Sequence, residues 1–236
     1  MKRNMLVVMS LIVAVGVATI VVPVAVADPS KDAKPAAAAA AAGQQPEMQL
    51  PPGWTQADMQ ACMAAATLGK MHEHLAKSVG TWQGKNTLWM YPGAQPVKSE
   101  STTTIKPMLD GRYVQCEMSG EMPGMGPYNG FALYGFDNVS QKFVSTWVDN
   151  CGTGMAHGTG ELSADGKTLT WNYAYNCPIT KKPTTLREVE TFTSADERKL
   201  EMYGIDPKGG KEFKMMEIEL TRQPGNGKSA AAPAGR

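Results

Sequence analysis

Three residues of one parity on one stretch carry most of the chemistry the chain offers. Phe143, Trp147 and Asp149 lie an even number of residues apart, so on a strand they share one face. Two aromatics facing the same way favour an interior, and a carboxylate beside them must then be paired or hydrogen-bonded. Gly152-Thr153-Gly154 follows at once and offers backbone N–H donors to that carboxylate, so Asp149 reads either as a turn cap or as a polar anchor in a pocket that Thr153 borders. Trp171, Tyr173 and Tyr175 repeat the pattern on another stretch, and Phe131 and Leu133 share a face between them. A glycosidase-like pair would need Glu117 or Glu161 to stand opposite Asp149. No Gly-x-Ser-x-Gly elbow and no phosphate-binding glycine loop is present.

Metal and redox chemistry have little material. The histidines are His72, His74 and His157. His72 and His74 are two apart on a helical stretch and diverge by about 200°, so they do not chelate together there. His157 is the one histidine on an expected strand, where a haem iron would need it on the inner wall. Met118, Met122 and Met125 supply soft thioethers of the kind that hold Cu(I), but a flexible apolar loop over a barrel mouth explains them more simply. No metal and no cofactor is expected. Cys62, Cys116, Cys151 and Cys177 are an even number in a chain with an export signal, where disulfides form. Cys151–Cys177 is the expected bridge, because both would end same-direction strands at one rim. One strand would separate them by about 10 Å, so their loops would have to curve inward.

The elements that must position these residues follow from the rest of the chain. Lys2 and Arg3, the apolar run Met5 to Val22, and Ala25-Val26-Ala27 form a secretory signal with cleavage before Asp28. The rival is an uncleaved anchor, since the run reaches the lower limit for crossing a bilayer. Residues 28–53, with Ala36 to Ala42 and flanking prolines, read as a linker, and 223–236 as a frayed tail. The 23 basic and 22 acidic residues nearly cancel, which disfavours a nucleic-acid binder.

Thr55 and Asp58 start a helical segment in which Met59, Cys62, Met63 and Ala66 form a candidate buried stripe, and Met71, Leu75 and Val79 form a second. From Gly80 the period becomes two. Ten strands are expected near 81–91, 98–107, 112–121, 128–136, 142–150, 155–162, 168–177, 184–193, 198–205 and 211–222, separated by turns such as Pro92-Gly93, Asp110-Gly111 and Asp165-Gly166. Such short connections make antiparallel neighbours, and closure removes both edges of the meander. The expected fold is all-β, a ten-stranded up-and-down barrel over 54–222 preceded by a short helical segment. A two-sheet sandwich is the alternative.

Gly80-Thr81-Trp82 after a helix resembles the Gly-x-Trp signature of lipocalin-like (calycin) barrels. Together with His72, Leu109-Asp110-Gly111-Arg112, Gly135-Phe136-Asp137-Asn138 and Gly152-Thr153-Gly154, it resembles the bacterial domain-of-unknown-function family 1579 over residues 70–222. The resemblance implies a calycin-like barrel and no particular reaction. In such a barrel Trp82 would plug the closed end, with Arg222 of the last strand over it. The expected function is to hold a small, mostly apolar molecule inside an exported barrel. The alternatives are a hydrolase-like enzyme built around Asp149 and a filled barrel acting as an envelope interaction protein.

Overall fold

The structure is a computed structural model that describes residues 50–225. The expected signal segment, the linker up to residue 49 and the tail from residue 226 lie outside the described residues. Among the described residues no helix is long and apolar enough to cross a membrane.

Two helices, α1 (Gln56–Ala66) and α2 (Lys70–Ala76), precede ten strands: β1 (Gly80–Leu88), β2 (Val97–Met108), β3 (Tyr113–Met122), β4 (Gly126–Asp137), β5 (Lys142–Asp149), β6 (Ala156–Leu162), β7 (Thr168–Asn176), β8 (Pro183–Phe192), β9 (Glu197–Ile205) and β10 (Glu212–Arg222). Each strand pairs antiparallel with its sequence neighbours, and β1 pairs with β10 to close a barrel. The seam runs from Trp82 opposite Arg222 to Leu88 opposite Met216. Closure leaves no edge to template further strands, so the barrel holds rather than the sandwich.

One end, the floor, is where β1 begins and β10 ends. Helix α2 covers it, burying His72, His74 and Leu75. Trp82, Trp171 and Phe143 are the largest fully buried side chains and fill the lower barrel with Leu169, Ile218 and Leu220. The Trp82 indole donates to Ser78 O at 2.9 Å. The Arg222 guanidinium carbon sits 4.1 Å from the centre of its ring, and that of Arg198 sits 3.8 Å away. Arg222 also donates to Val79 O, to Lys77 O at 2.8 Å, to Ala195 O at 3.0 Å and to Asp196 at 2.9 Å. It therefore ties the strand that ends the barrel to the turn that begins it. Gly80 is required at this knot. Its φ of +137° is outside the ordinary range, and a Cβ there would lie 2.6 Å from Arg222 Nη1.

Helix α1 departs from expectation. Thr55 and Asp58 form the capping box, but no residue of α1 is buried, so Met59, Cys62, Met63 and Ala66 make no core stripe. The helix is held by its end instead. Asn138 Nδ2 donates to Ala65 O at 3.0 Å and to Thr67 O at 2.6 Å.

Candidate ligand cavity

The wall of the barrel leaves space inside because bulky and bare positions face each other. On β6 the inward residues are Ala156, Gly158 and Gly160, opposite Trp147, Tyr173 and Trp171 of the neighbouring strands. A Cβ on Gly160 would stand 2.8 Å from the Trp171 ring, and one on Gly158 would stand 2.5 Å from the Tyr173 ring. The two aromatics therefore lie flat along the wall instead of crossing the lumen. Their rings stack at 6.0 Å, and Tyr134 meets Trp171 at 5.4 Å. What remains is a cavity of about 900 Å³, within the range of small-molecule sites. Its lining runs from His74 and Leu75 at the floor to Met90 and residues 151–155 at the opposite rim. The barrel is not filled.

Trp147, Asp149, Thr153, Trp171, Tyr173 and Tyr175 all border this cavity, while Phe143 packs below it in the core. Asp149 stands at the rim with its oxygens engaged. Oδ2 accepts from Trp147 Nε1 at 3.0 Å and from Tyr128 OH at 3.3 Å, and Oδ1 accepts from Cys151 N at 2.9 Å. The carboxylate thus fixes two rim aromatics and caps the turn at once. The donor is Cys151 rather than the glycine pair. Burial and the adjacent Asp149 charge raise the Tyr128 phenol, so it stays a donor.

Other expected groupings do not come together. Glu117 and Glu161 are on the outer face, with side chains 52% and 71% exposed, and pair with Lys106 and Lys142. Neither stands opposite Asp149, because their parity on β3 and β6 is the outward one. His157 is exposed on the outer face of β6, so no iron inside the barrel reaches it. His72 is a floor residue whose Nδ1 accepts from Gly69 N at 3.1 Å, an N-terminal clasp on α2. Met118 and Met122 line the cavity, and Met125 is exposed beyond the rim. Phe131 and Leu133 face outward; the inward set on β4 is Tyr128, Gly130, Ala132, Tyr134 and Phe136. All four cysteines are free thiols, Cys62 and Cys151 exposed, Cys116 and Cys177 buried. The Cys151–Cys177 bridge is absent, and β6 stands between the strands that carry the two residues.

Sequence reading missed the most polar part of the lumen. Glu188 and Glu190 of β8 and Arg198 of β9 all line the cavity. Arg198 Nη1 donates to Glu190 Oε1 at 2.6 Å, with side chains 5% and 13% exposed. Glu188 is 6% exposed and no described residue hydrogen-bonds its carboxyl. Burial, then the neighbouring Glu190 charge, lifts it to about 8, with Arg198 opposing. The Cys116 thiol is pushed up to about 12 by burial. His74 is held below its usual range by burial and by Lys77, and its Nε2 has no partner between Phe143 and Phe192. The signal that was available is parity: Leu186 and Phe192 bracket both glutamates on the inward face of β8.

The family model described as "Protein of unknown function (DUF1579)" matches residues 67–222. The chain belongs to the DUF1579 family. Among solved structures, this DUF1579 barrel is similar to Rv2717c from M. tuberculosis, with a TM-score of 0.53 and 15% identity over 67% of this chain and 100% of that one. It also resembles the S-type phycobiliprotein lyase CPES from Guillardia theta, with a TM-score of 0.48 and 12% identity over 66% of this chain and 94% of that one. The likeness to Rv2717c shows the lipocalin-like fold alone. No curated protein matches the chain significantly in sequence.

Proposed function

We propose that this DUF1579 protein is an exported carrier that holds a small, mostly apolar molecule in its barrel. The observation that carries the reading is the unfilled lumen of about 900 Å³, walled by aromatic, thioether and aliphatic side chains and reaching the rim. An interior meant only for stability would close to crystal-like density, because voids forfeit packing contacts. Trp147, Trp171, Tyr173 and Tyr175 form the apolar body of the site. Asp149 positions Trp147 and Tyr128 at the entrance. Thr153 borders the same opening.

The basic start, apolar run and Ala25-Val26-Ala27 support export with a mature chain beginning at Asp28. No nucleic acid is a partner in this reading, and no membrane span remains after cleavage.

Native mass spectrometry of the protein purified from its own host tests the function directly. A co-purifying small molecule at one per chain is expected, and the first residue is expected to be Asp28. In parallel, Nile red, a neutral apolar dye, should bind saturably at one site with a blue-shifted emission. A ligand-free protein that also fails to bind the dye saturably would overturn the carrier reading. Retention of Met1 with membrane fractionation would overturn cleavage before Asp28 and show an uncleaved anchor instead.

A further inference from the structure

The charges that line the cavity are unequal in sign. Glu188 faces its middle, Glu190 and Arg198 lie toward the floor, and Asp149 stands at the rim. Arg198 is the only lysine or arginine among the described lining residues; its Nη1 is held by Glu190, while its buried Nε has no partner. Its guanidinium face is also committed, lying over Trp82. His74 at the floor is kept neutral by burial. An anionic ligand therefore meets carboxylates, and the one cation beside them already shares its charge with Glu190 and keeps only Nε to offer. A cation meets a vacant carboxyl.

Glu188 is that carboxyl. It points into the lumen from β8, between Trp171 of β7 and Met202 of β9. It has no hydrogen-bond partner among the described residues. The other groups facing it are the Glu190–Arg198 pair, the Tyr134 and Tyr173 hydroxyls and the Cys116 thiol. Burial holds both phenols and the thiol in their neutral forms. Beside it stand the flat faces of Trp171, Tyr173 and Tyr134, which attract cations and stack on planar rings.

Resting on the carrier reading, we propose that the ligand is a planar apolar molecule bearing one protonated nitrogen, and that Glu188 is the residue that recognises this nitrogen. Burial and Glu190 disfavour the charge on Glu188, so near pH 7 it is the neutral acid. An incoming ammonium forms a charge-assisted hydrogen bond to the carboxylate, and the carboxyl proton leaves to solvent. The balance is one ammonium bound and one proton released.

Three matched probes test this by displacing Nile red: 1-naphthylmethylamine, 1-naphthalenemethanol and 1-naphthoic acid. The amine should bind at least tenfold more tightly than the alcohol, and the acid most weakly. The amine-to-alcohol ratio should rise between pH 6 and pH 8, approaching tenfold per unit at the acid end. Calorimetry in buffers of different ionisation enthalpy should show close to one proton released per amine at pH 7. Glu188→Gln should bring the amine down to the alcohol's level, whereas Glu161→Gln on the outer face should leave the ratio intact. A ratio that survives Glu188→Gln, or an acid that binds as tightly as the amine, would overturn the proposal while dye binding upholds the carrier. Should Glu188→Gln fail to fold, a pH-independent ratio in the natural protein overturns it equally. Failure of the dye itself to bind would overturn both.

Discussion

Replacing Glu188 by glutamine should change how stability depends on pH, whatever the ligand is. The carboxyl rises from 4.5 in the unfolded chain to about 8 in the barrel. Between those values the folded protein keeps a proton that the unfolded chain has lost, so stability falls as pH rises through that window. Above the folded value the loss is complete and constant. From pH 5 to pH 9 the window covers roughly three units, each worth about 1.4 kcal/mol, so this one group should cost about 4 kcal/mol. Glutamine does not titrate, so the Glu188→Gln protein should gain about that much relative to the natural one over the same range. Any fixed cost of burying the extra amide donor shifts both ends equally, and the remaining titrating groups cancel in the comparison. Urea unfolding followed by tryptophan emission at pH 5, 7 and 9 measures it. Two stability profiles that run parallel from pH 5 to pH 9 would refute the reasoning, because Glu188 would then be solvated or paired.

Asp149→Asn removes a carboxylate with three donors and should lower stability by about 1–2 kcal/mol in urea unfolding, while Nile red uptake persists. Gly160→Val should push the Trp171 ring off the wall into the lumen, costing about 1–3 kcal/mol and reducing dye capacity, which a fluorescence titration reads. Arg222→Lys cannot reproduce a fork shared among Val79, Lys77, Ala195 and Asp196, and should lower the unfolding free energy by about 2 kcal/mol. In the folded protein a thiol reagent such as DTNB should modify Cys62 and Cys151 quickly and Cys116 only after denaturation, since that thiol is buried and pushed up to about 12.

Strand rhythm was legible because turn residues punctuate it: Asp110-Gly111 and Asp165-Gly166 fall at the ends of β2 and β6. The first strand is shorter than its alternation predicts. It stops at Leu88, although Trp89 N still donates to Met215 O at 2.9 Å where a bulge interrupts β10. The Trp82–Arg222 contact followed from closure plus parity, both readable in the chain. Parity on β4 could not choose a face, because large residues occupy both: Phe131 and Leu133 do share one, and the neighbours' register places it outside and Ala132 and Tyr134 inside. The candidate α1 stripe failed for another reason. Helical spacing shows which residues share a face, but only tertiary contact decides whether anything covers it. Glu188 and Arg198 were invisible because charged residues on a strand are ordinarily solvated. Only the closed ring places their face indoors.

The seam between β1 and β10 also governs the order in which the barrel can assemble. Nine of its ten pairings join strands consecutive in sequence, and such hairpins form locally and fast. The tenth must bring Trp82 to Arg222 across the whole domain, with the loop-closure entropy that such a span entails. The ring should therefore zip as a curved meander and lock last at this junction. Hydrogen exchange in the native state should accordingly open β1 and β10 before the β3–β4 hairpin. Until the lock engages, two bare strand edges are available to a second nascent copy. The guanidinium knot at the floor thus guards against intermolecular strand exchange as well as holding one end shut.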